Sequence, residues 1–271
     1  MFSLTLVGVD QPATRAAADR IDGKADWLGL NAADFIIEAD APIDYLRDET
    51  IASIDGLPVD VCVQPMQGRR KRLFVADMDS TIIGCECLDE LADFAGLKAE
   101  ISAITERAMR GEIEFEGALR ERVGKLKGLA TDALQKAYDE RVRLNPGART
   151  LVQTMAANGT RCVLVSGGFT FFTAKVADAA GFHANRANRL AFENDALTGA
   201  VEEPILGKQA KLDALHEEAA ALSVPLSETL AIGDGANDLS MIQAAGLGIA
   251  YRAKPIVAAQ ADCRLDHADL T

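Results

Sequence analysis

Three short, mainly apolar segments of the chain each lead into a loop rich in glycine or polar side chains. They are Leu73–Ala76, Cys162–Val165 and Thr229–Ile232. Runs of this length and composition are typical of buried strands, and helix-like stretches separate them. Alternating strands and helices predict an α/β fold with a doubly wound, Rossmann-like parallel sheet, which binds ligands at the carboxyl ends of its strands. The loops after these strands are therefore the first candidates for a functional site.

The remaining segments have different patterns. The N-terminal part alternates strand-like and helical stretches, which predicts a small α+β domain with three strands. A highly charged stretch with helical periodicity follows the first core strand and predicts a helical cap, with helices at 89–94, 98–109, 115–126 and 131–138. The predicted domains are residues 1–68 for the N-terminal domain, 69–84 with 144–271 for the core, and 85–143 for the cap.

Between the N-terminal domain and the core, residues 64–72 contain Pro, Gly and four consecutive basic side chains, Arg69 to Arg72. This composition favours a solvated linker. A patch for phosphate or nucleic acid is the alternative interpretation.

The charge of the protein limits its partners. A formal net charge of -13 and a pI near 4.7 repel nucleic acid and anionic membranes. No apolar run approaches the roughly 18 residues of a membrane span. We therefore predict a small-molecule partner. The five cysteines are dispersed and odd in number, and no secretory signal is visible, so a reducing, cytoplasmic setting is expected.

The first apolar run delivers two carboxylates, Asp77 and Asp79, within Asp-Met-Asp-Ser-Thr. Residues two apart on a strand point to the same side. Asp77 is therefore a candidate nucleophile toward phosphorus, and Asp79 a candidate acid and base beside the ester oxygen. Taken alone, the motif is equally compatible with a turn or a helix cap.

The third run leads into Gly-Asp-Gly-Ala-Asn-Asp at 233–238. Carboxylates of Asp77 and Asp234, with a backbone carbonyl at Asp79, form an oxygen-rich set suited to Mg²⁺. Asp238 is expected to orient these neighbours. In isolation the segment also resembles an ordinary turn. A cation here would allow an aspartate to approach an anionic phosphate.

Phosphate-binding groups are expected after the second run, where Ser166 and Gly167 offer a hydroxyl and backbone N–H groups. Two lysines stand at a predicted helix start further along the chain. We select Lys211 rather than Lys208 as the cation that neutralises the phosphate.

These four motifs together resemble the haloacid dehalogenase superfamily. More narrowly, the runs DMDSTIIGCECLDELADFAG, VSGGFTFFT and AIGDGANDLSMI are similar to the phosphoserine phosphatase family, and the likeness extends from about Leu73 to Asp269. The resemblance implies a Mg²⁺-dependent phosphoric monoester hydrolase. Its reaction would convert O-phospho-L-serine to L-serine and phosphate through an aspartyl-phosphate, as the final step of serine biosynthesis.

The resemblance also assigns residues to the substrate. It implies that the helical cap closes over the phosphoamino acid, that Glu86 binds its ammonium and that Arg122 binds its carboxylate. Met109 and Phe115 correspond to apolar cap residues, and Asn237 to a polar residue near the phosphate. One acid and one bidentate base suit a zwitterion. Without the resemblance, these residues would be interpreted as surface charges and ordinary core.

Two other functions remain open at this point. A phosphotransferase would use the same residues to pass phosphate to an alcohol such as homoserine. A non-catalytic amino-acid sensor is the other, although the complete set Asp77, Asp79, Lys211 and Asp234 argues against it. Relatives carry βαββαβ amino-acid-binding modules, and three strands in residues 1–68 predict only a degenerate, ACT-like version of one. A regulatory role or a homodimer is left open.

Overall fold

The computed structural model describes residues 1–109 and 112–271, apart from the side chain of Met109. The N-terminal unit is a four-stranded antiparallel sheet with strand order β2-β3-β1-β4 and two helices. Its elements are β1 (Phe2–Gly8), α1 (Gln11–Ala18), β2 (Asp26–Trp27), β3 (Ala32–Ile37), α2 (Ile43–Ser53) and β4 (Val59–Pro65).

The prediction of three strands in this unit is wrong. The additional strand, β2, has only two residues, too few for an alternating pattern to be visible in the sequence. With β2 included, the chain order is βαββαβ.

The two faces of the N-terminal sheet differ in chemistry. Leu4, Leu6 and Phe35 belong to an apolar cluster that packs against the helices. The opposite face carries Ser3 and Asp60, which are also buried. Alternation along each strand separates the two sets. A buried polar group requires hydrogen-bonding partners, and for Asp60 the core supplies them.

Asp60 is the centre of this contact. Its carboxylate accepts hydrogen bonds from three consecutive backbone N–H groups near the end of the chain, those of Asp266, His267 and Ala268, at 2.8 to 3.3 Å. The N-terminal sheet is therefore fixed directly to the C-terminal segment of the core.

The predicted linker is solvated in part, since Arg70 and Arg72 are exposed whereas Arg69 and Lys71 are partly buried. Its four basic side chains contact both units: Arg69 contacts the N-terminal unit, and the other three contact the core. The pairs are Arg69 with the Asp34 carboxylate, Arg70 with the Asn158 carbonyl (2.7 Å), Lys71 with the Ser227 carbonyl (2.9 Å) and Arg72 with the Glu228 carboxylate (3.4 Å).

The rest of the chain forms a six-stranded parallel sheet with a helical insertion. Its strand order is β12-β11-β10-β5-β6-β7, and a separate two-stranded hairpin pairs β8 with β9. The elements are β5 (Leu73–Ala76), α3 (Cys87–Phe94), α4 (Lys98–Met109), α5 (Phe115–Lys125), α6 (Thr131–Arg141), α7 (Ala148–Ala157), β6 (Arg161–Phe169), α8 (Thr170–Ala180), β7 (Ala184–Asn188), β8 (Leu190–Glu193), β9 (Ala196–Val201), α9 (Lys208–Ala221), β10 (Thr229–Gly233), α10 (Leu239–Ala244), β11 (Leu247–Tyr251), α11 (Pro255–Ala258) and β12 (Cys263–Leu265).

This arrangement confirms the predicted α/β fold with a parallel sheet. Strand β5 is central and fully buried, because apolar clusters cover both of its faces: Phe74 belongs to one cluster and Leu73 to the other. Its neighbours are β10 and β6. The carboxyl ends of the three strands predicted from apolar runs therefore lie side by side.

The helical insertion is attached to the core by two adjacent connections. Ile83 and Leu144 form an isolated antiparallel bridge, and the Asn145 N–H donates to the Ile82 carbonyl at 2.9 Å. On the other side of the cap, the β8–β9 hairpin contacts α5 and the loop after it. The Gly128 N–H donates to the Leu197 carbonyl at 2.8 Å. Within the described ranges, no helix is both long enough and apolar enough to span a membrane.

Candidate active site

A buried lysine lies between two buried aspartates at the carboxyl end of the sheet. Lys211, in the first turn of α9, donates from Nζ to Asp77 Oδ1 at 2.5 Å and also to Asp238 Oδ1. The exposed fraction is 2% for Lys211 and 4% for Asp77. Burial opposes the lysine charge, but Asp238 and Asp77 outweigh it and raise the pKa of Lys211. Lys208 is instead exposed at the surface.

Carboxylates outnumber cationic side chains in this buried group. Burial and the neighbouring Asp238 raise the pKa of Asp77 well above its ordinary value, against the opposing effect of Lys211. For Asp234, burial first and Asp238 second raise the pKa to about 6. Carboxylate oxygens of Asp77, Asp234 and Asp238 all lie within 4.8 Å of one another. A divalent cation would relieve this repulsion, so the donor set fits a hard metal ion.

The three carboxylates are not equivalent. Both oxygens of Asp238 are engaged, one by Lys211 and the other by the Gly235 N–H at 3.0 Å. The Asp234 carboxylate accepts no hydrogen bond from the residues that the structure describes. The oxygens available to a metal are therefore those of Asp234 and the Asp77 oxygen that Lys211 does not contact. Asp238 holds Lys211 in place.

Asp79 has different neighbours. Its Oδ1 accepts from the Cys87 N–H at 2.9 Å, and its Oδ2 accepts from the Ser166 hydroxyl at 3.1 Å. Burial, with a smaller contribution from Glu86, raises the pKa of Asp79 to about 6. The side chain is thus directed toward the C-terminal part of β6, and it can retain a proton at mildly acidic pH.

The C-terminal part of β6 combines a buried hydroxyl with close backbone approach. Ser166 and Gly167 were predicted in a loop after a strand at 162–165, but the strand continues to Phe169, with a shift of register between Val165 and Phe169. Ser166 accepts a hydrogen bond from the Gly168 N–H at 2.8 Å. A side-chain carbon added at Gly167 would lie 3.2 Å from the ring of Phe115, which shows how closely the cap covers this part of β6. A larger residue here would press against Phe115 and narrow the space between the cap and the core.

Asn188 was missed by the sequence reasoning. It is buried at the end of β7, and its Nδ2 donates to the Gly167 carbonyl at 2.9 Å. Its Oδ1 accepts from the Leu206 N–H at 2.7 Å, which joins the end of β6 to the segment before Lys211. The run Ala-Asn-Arg-Leu at 187–190 was visible in the sequence, but nothing local indicated what the amide would contact.

The predicted substrate residues of the cap face the same cavity. Glu86 precedes α3 and accepts from the Ser80 hydroxyl at 2.6 Å. Arg122 is partly buried on α5, where burial lowers its pKa, and its Nε donates to the Ala118 carbonyl at 3.3 Å. Met109 ends α4, but its side chain lies outside the described residues.

One cavity of about 580 Å³ collects most of the predicted residues. Lys211 and Asp238 lie beneath its floor instead of on its surface. Asp89 and Lys254, which the sequence reasoning did not select, also line it. The predicted residues on the cavity wall are Asp77, Asp79, Glu86, Phe115, Arg122, Ser166, Gly167, Asp234 and Asn237.

Comparison with known proteins gives consistent matches. The family model for haloacid dehalogenase-like hydrolases matches residues 74–243. A phosphoserine phosphatase from Polaromonas is 46% identical over 211 residues, covering 76% of this chain and 89% of that protein. One from Archaeoglobus fulgidus is 43% identical and covers 76% of this chain, although the match spans only 60% of the relative's length. The crystal structure of a haloacid dehalogenase family hydrolase from Salmonella enterica serovar Typhi superposes with a TM-score of 0.86 at 27% identity, covering 99% of this chain and 96% of that one.

Proposed function

This chain belongs to the haloacid dehalogenase-like hydrolase family and, within it, to the phosphoserine phosphatases. From that premise we propose that it hydrolyses O-phospho-L-serine to L-serine and phosphate, as the last step of serine biosynthesis. The observation that carries the proposal is a single cavity with phosphate-handling groups around Asp77 at one end and an acid–base pair, Glu86 and Arg122, in the cap.

In the proposed reaction, the Asp77 carboxylate attacks phosphorus and forms an aspartyl-phosphate, and the serine oxygen leaves. Lys211 compensates the negative charge that gathers around Asp77 and the phosphate oxygens, and Asp238 keeps this lysine oriented. The distances within this buried group support the assignment.

Asp79 would act first as the general acid and then as the general base. A pKa of about 6 supports a carboxyl that protonates the leaving serine oxygen. The resulting carboxylate then takes a proton from the water that hydrolyses the aspartyl-phosphate. Ser166 and the N–H groups of the following glycines would bind the phosphate oxygens.

Mg²⁺ is the proposed cofactor, held by Asp77, Asp234 and the backbone carbonyl of Asp79. When bound, it supplies positive charge that neutralises the carboxylates and the phosphate oxygens. Asp234 supports this assignment, because burial first and the neighbouring Asp238 second raise its pKa, and a cation would offset the repulsion between the two carboxylates.

At the cap end, Glu86 would bind the ammonium of the substrate and Arg122 its carboxylate. Phe115 would close over Gly167. The free thiols of all five cysteines support the predicted reducing, cytoplasmic setting.

The test is phosphate release from O-phospho-L-serine, phosphothreonine, phosphohomoserine and an aryl phosphate, with Mg²⁺ or with a chelator. We expect Mg²⁺-dependent release with a strong preference for phosphoserine, and its loss in Asp77→Asn. Asp139→Asn, an exposed cap aspartate, is the matched control and should remain active. Preference for another ester would contradict the substrate assignment. Adding homoserine and following phosphorus NMR should show inorganic phosphate and no new phosphoester; a new phosphoester would indicate a transferase.

A further inference from the structure

A second carboxylate accompanies Glu86 at the cap end of the cavity. Glu86 is the N-cap of α3, and Asp89 lies three residues later in its first turn. Side chains three residues apart lie on the same side of a helix. Both residues line the cavity, and Asp89 is only partly buried, so its carboxylate can reach a ligand there.

Arg122 lines the same cavity as these two acids. Burial lowers the pKa of Arg122, and the negative charges of Asp89 and Glu86 oppose that effect. Among the described residues, Arg122 donates a hydrogen bond from Nε to the Ala118 carbonyl, which leaves its two terminal nitrogens for an anion.

The charges of these three groups add up to one excess negative charge. A zwitterionic amino acid placed among them contributes one ammonium and one carboxylate. If Arg122 binds the carboxylate, two acids surround the ammonium. A phosphoester with a hydroxyl in place of the amine would bring its carboxylate to the same two acids without any compensating positive charge.

We propose that Asp89 and Glu86 form a two-carboxylate subsite for the substrate ammonium, which makes Asp89 a specificity-determining residue. This inference rests on the proposed function and deepens it. The subsite selects phosphoesters that carry an amine and rejects hydroxy acids of the same shape. Each acid supplies one charge-assisted contact to the ammonium.

Asp89 could also act only on the helix, because an acid in the first turn stabilises a helix through its dipole. Glu90 provides the matched control. It occupies the same turn of α3 but pairs with Arg141 of α6 at 3.7 Å, and it does not line the cavity. An effect on the helix would appear in both Asp89→Asn and Glu90→Gln, whereas an effect on the subsite would appear in Asp89→Asn alone.

The experiment compares kcat/KM for three substrates in the unaltered protein, Asp89→Asn and Glu90→Gln. The substrates are phosphoserine, 3-phosphoglycerate, which has a hydroxyl in place of the amine, and phosphoethanolamine, which lacks the carboxylate. Asp89→Asn should lower kcat/KM for both amines about tenfold. It should not lower the value for 3-phosphoglycerate. Glu90→Gln should leave the ratios unchanged, and thermal unfolding of each variant reports any loss of folding.

Two results would overturn the subsite. In the first, Asp89→Asn lowers kcat/KM for phosphoserine and for 3-phosphoglycerate together and leaves kcat/KM for phosphoethanolamine unchanged. That result would show that Asp89 acts by orienting Arg122. In the second, Asp89→Asn leaves the ratios of kcat/KM between the three substrates unchanged. Both leave the proposed function standing if the unaltered protein prefers phosphoserine; absence of that preference would refute the proposed function itself.

Discussion

Replacing Asp60 by asparagine should loosen the contact between the N-terminal unit and the core. The Asp60 side chain accepts from the N–H groups of Asp266, His267 and Ala268. The outer two donors use different oxygens of the carboxylate. Asparagine retains one oxygen and places an NH₂ group at the other position, so one outer N–H loses its acceptor and meets a donor.

The size of the effect follows from that exchange. A hydrogen bond to a charged group contributes about 1.5–3 kcal/mol, and a buried donor without an acceptor costs about 1–3 kcal/mol. Asp60 is only 6% exposed, so water cannot readily replace the lost acceptor. Because the two effects overlap, we expect the free energy of unfolding to fall by about 2–4 kcal/mol.

Equilibrium unfolding in urea measures this difference. Trp27, the single tryptophan of the chain, lies in the N-terminal sheet and reports on that unit by fluorescence, while circular dichroism follows the whole protein. Asp55→Asn, at an exposed position in the same unit, is the control. Hydrogen exchange at residues 266–268 should accelerate only in Asp60→Asn. Stabilities of the two variants within about 0.5 kcal/mol of each other would refute the reasoning, since changes of that size are ordinary for surface substitutions.

Three further results are expected. Gly233→Ala places a carbon 2.5 Å from Asp238 Cγ and should reduce phosphatase activity and lower stability by about 1–3 kcal/mol. Gly117→Ala lies in open space on α5 and should raise the stability measured in urea by about 0.5–1 kcal/mol. Equal changes in the stability of the two variants would contradict this expectation. In metal-free protein, the folded-state pKa of Asp79 is raised to about 6 from 3.8, so its stabilising effect is complete below pH 3.8 and is lost as pH rises to 6. The stability of Asp79→Asn relative to the unaltered protein should therefore increase by about 1–3 kcal/mol between pH 4 and pH 7 in urea titrations, and a pH-independent difference would argue against the raised pKa. Saturating Mg²⁺ at about 100 times its Kd should add about 2.7 kcal/mol of stability, visible as a higher melting temperature that disappears with chelator and in Asp234→Asn; an undiminished shift in that variant would remove Asp234 from the metal site.

The chemistry at the strand ends could be predicted from the sequence because it is encoded locally. Asp77 and Ser166 follow an apolar run directly, and Asp234 follows one after a single glycine; a parallel sheet brings such positions together whatever the details of packing. Helix α4 was predicted at 98–109 and is found at Lys98–Met109, since its apolar spacing is also a local signal.

Features that depend on distant partners could not be predicted. The contacts of Arg70 with Asn158 and of Lys71 with Ser227 span 88 and 156 residues, so a run of basic side chains looked like a solvated linker. Asn188 is similar, because its side chain donates a hydrogen bond to the distant Gly167 carbonyl and not to a neighbour along the chain. Asp89 begins the helix predicted at 89–94, and no local pattern indicates that its side chain lines the cavity.

The polar face of the N-terminal sheet also has a consequence for synthesis on the ribosome. Asp60 is made 206 residues before Asp266, the first of its partners. At about 5–20 residues per second, the interval is roughly 10–40 s. Throughout that time the sheet can be folded while its docking face is still uncovered. Because this face presents Ser3, Asp34, Asp60 and Gln64, water can hydrate it during the wait, whereas an apolar docking face would have exposed the nascent chain to aggregation.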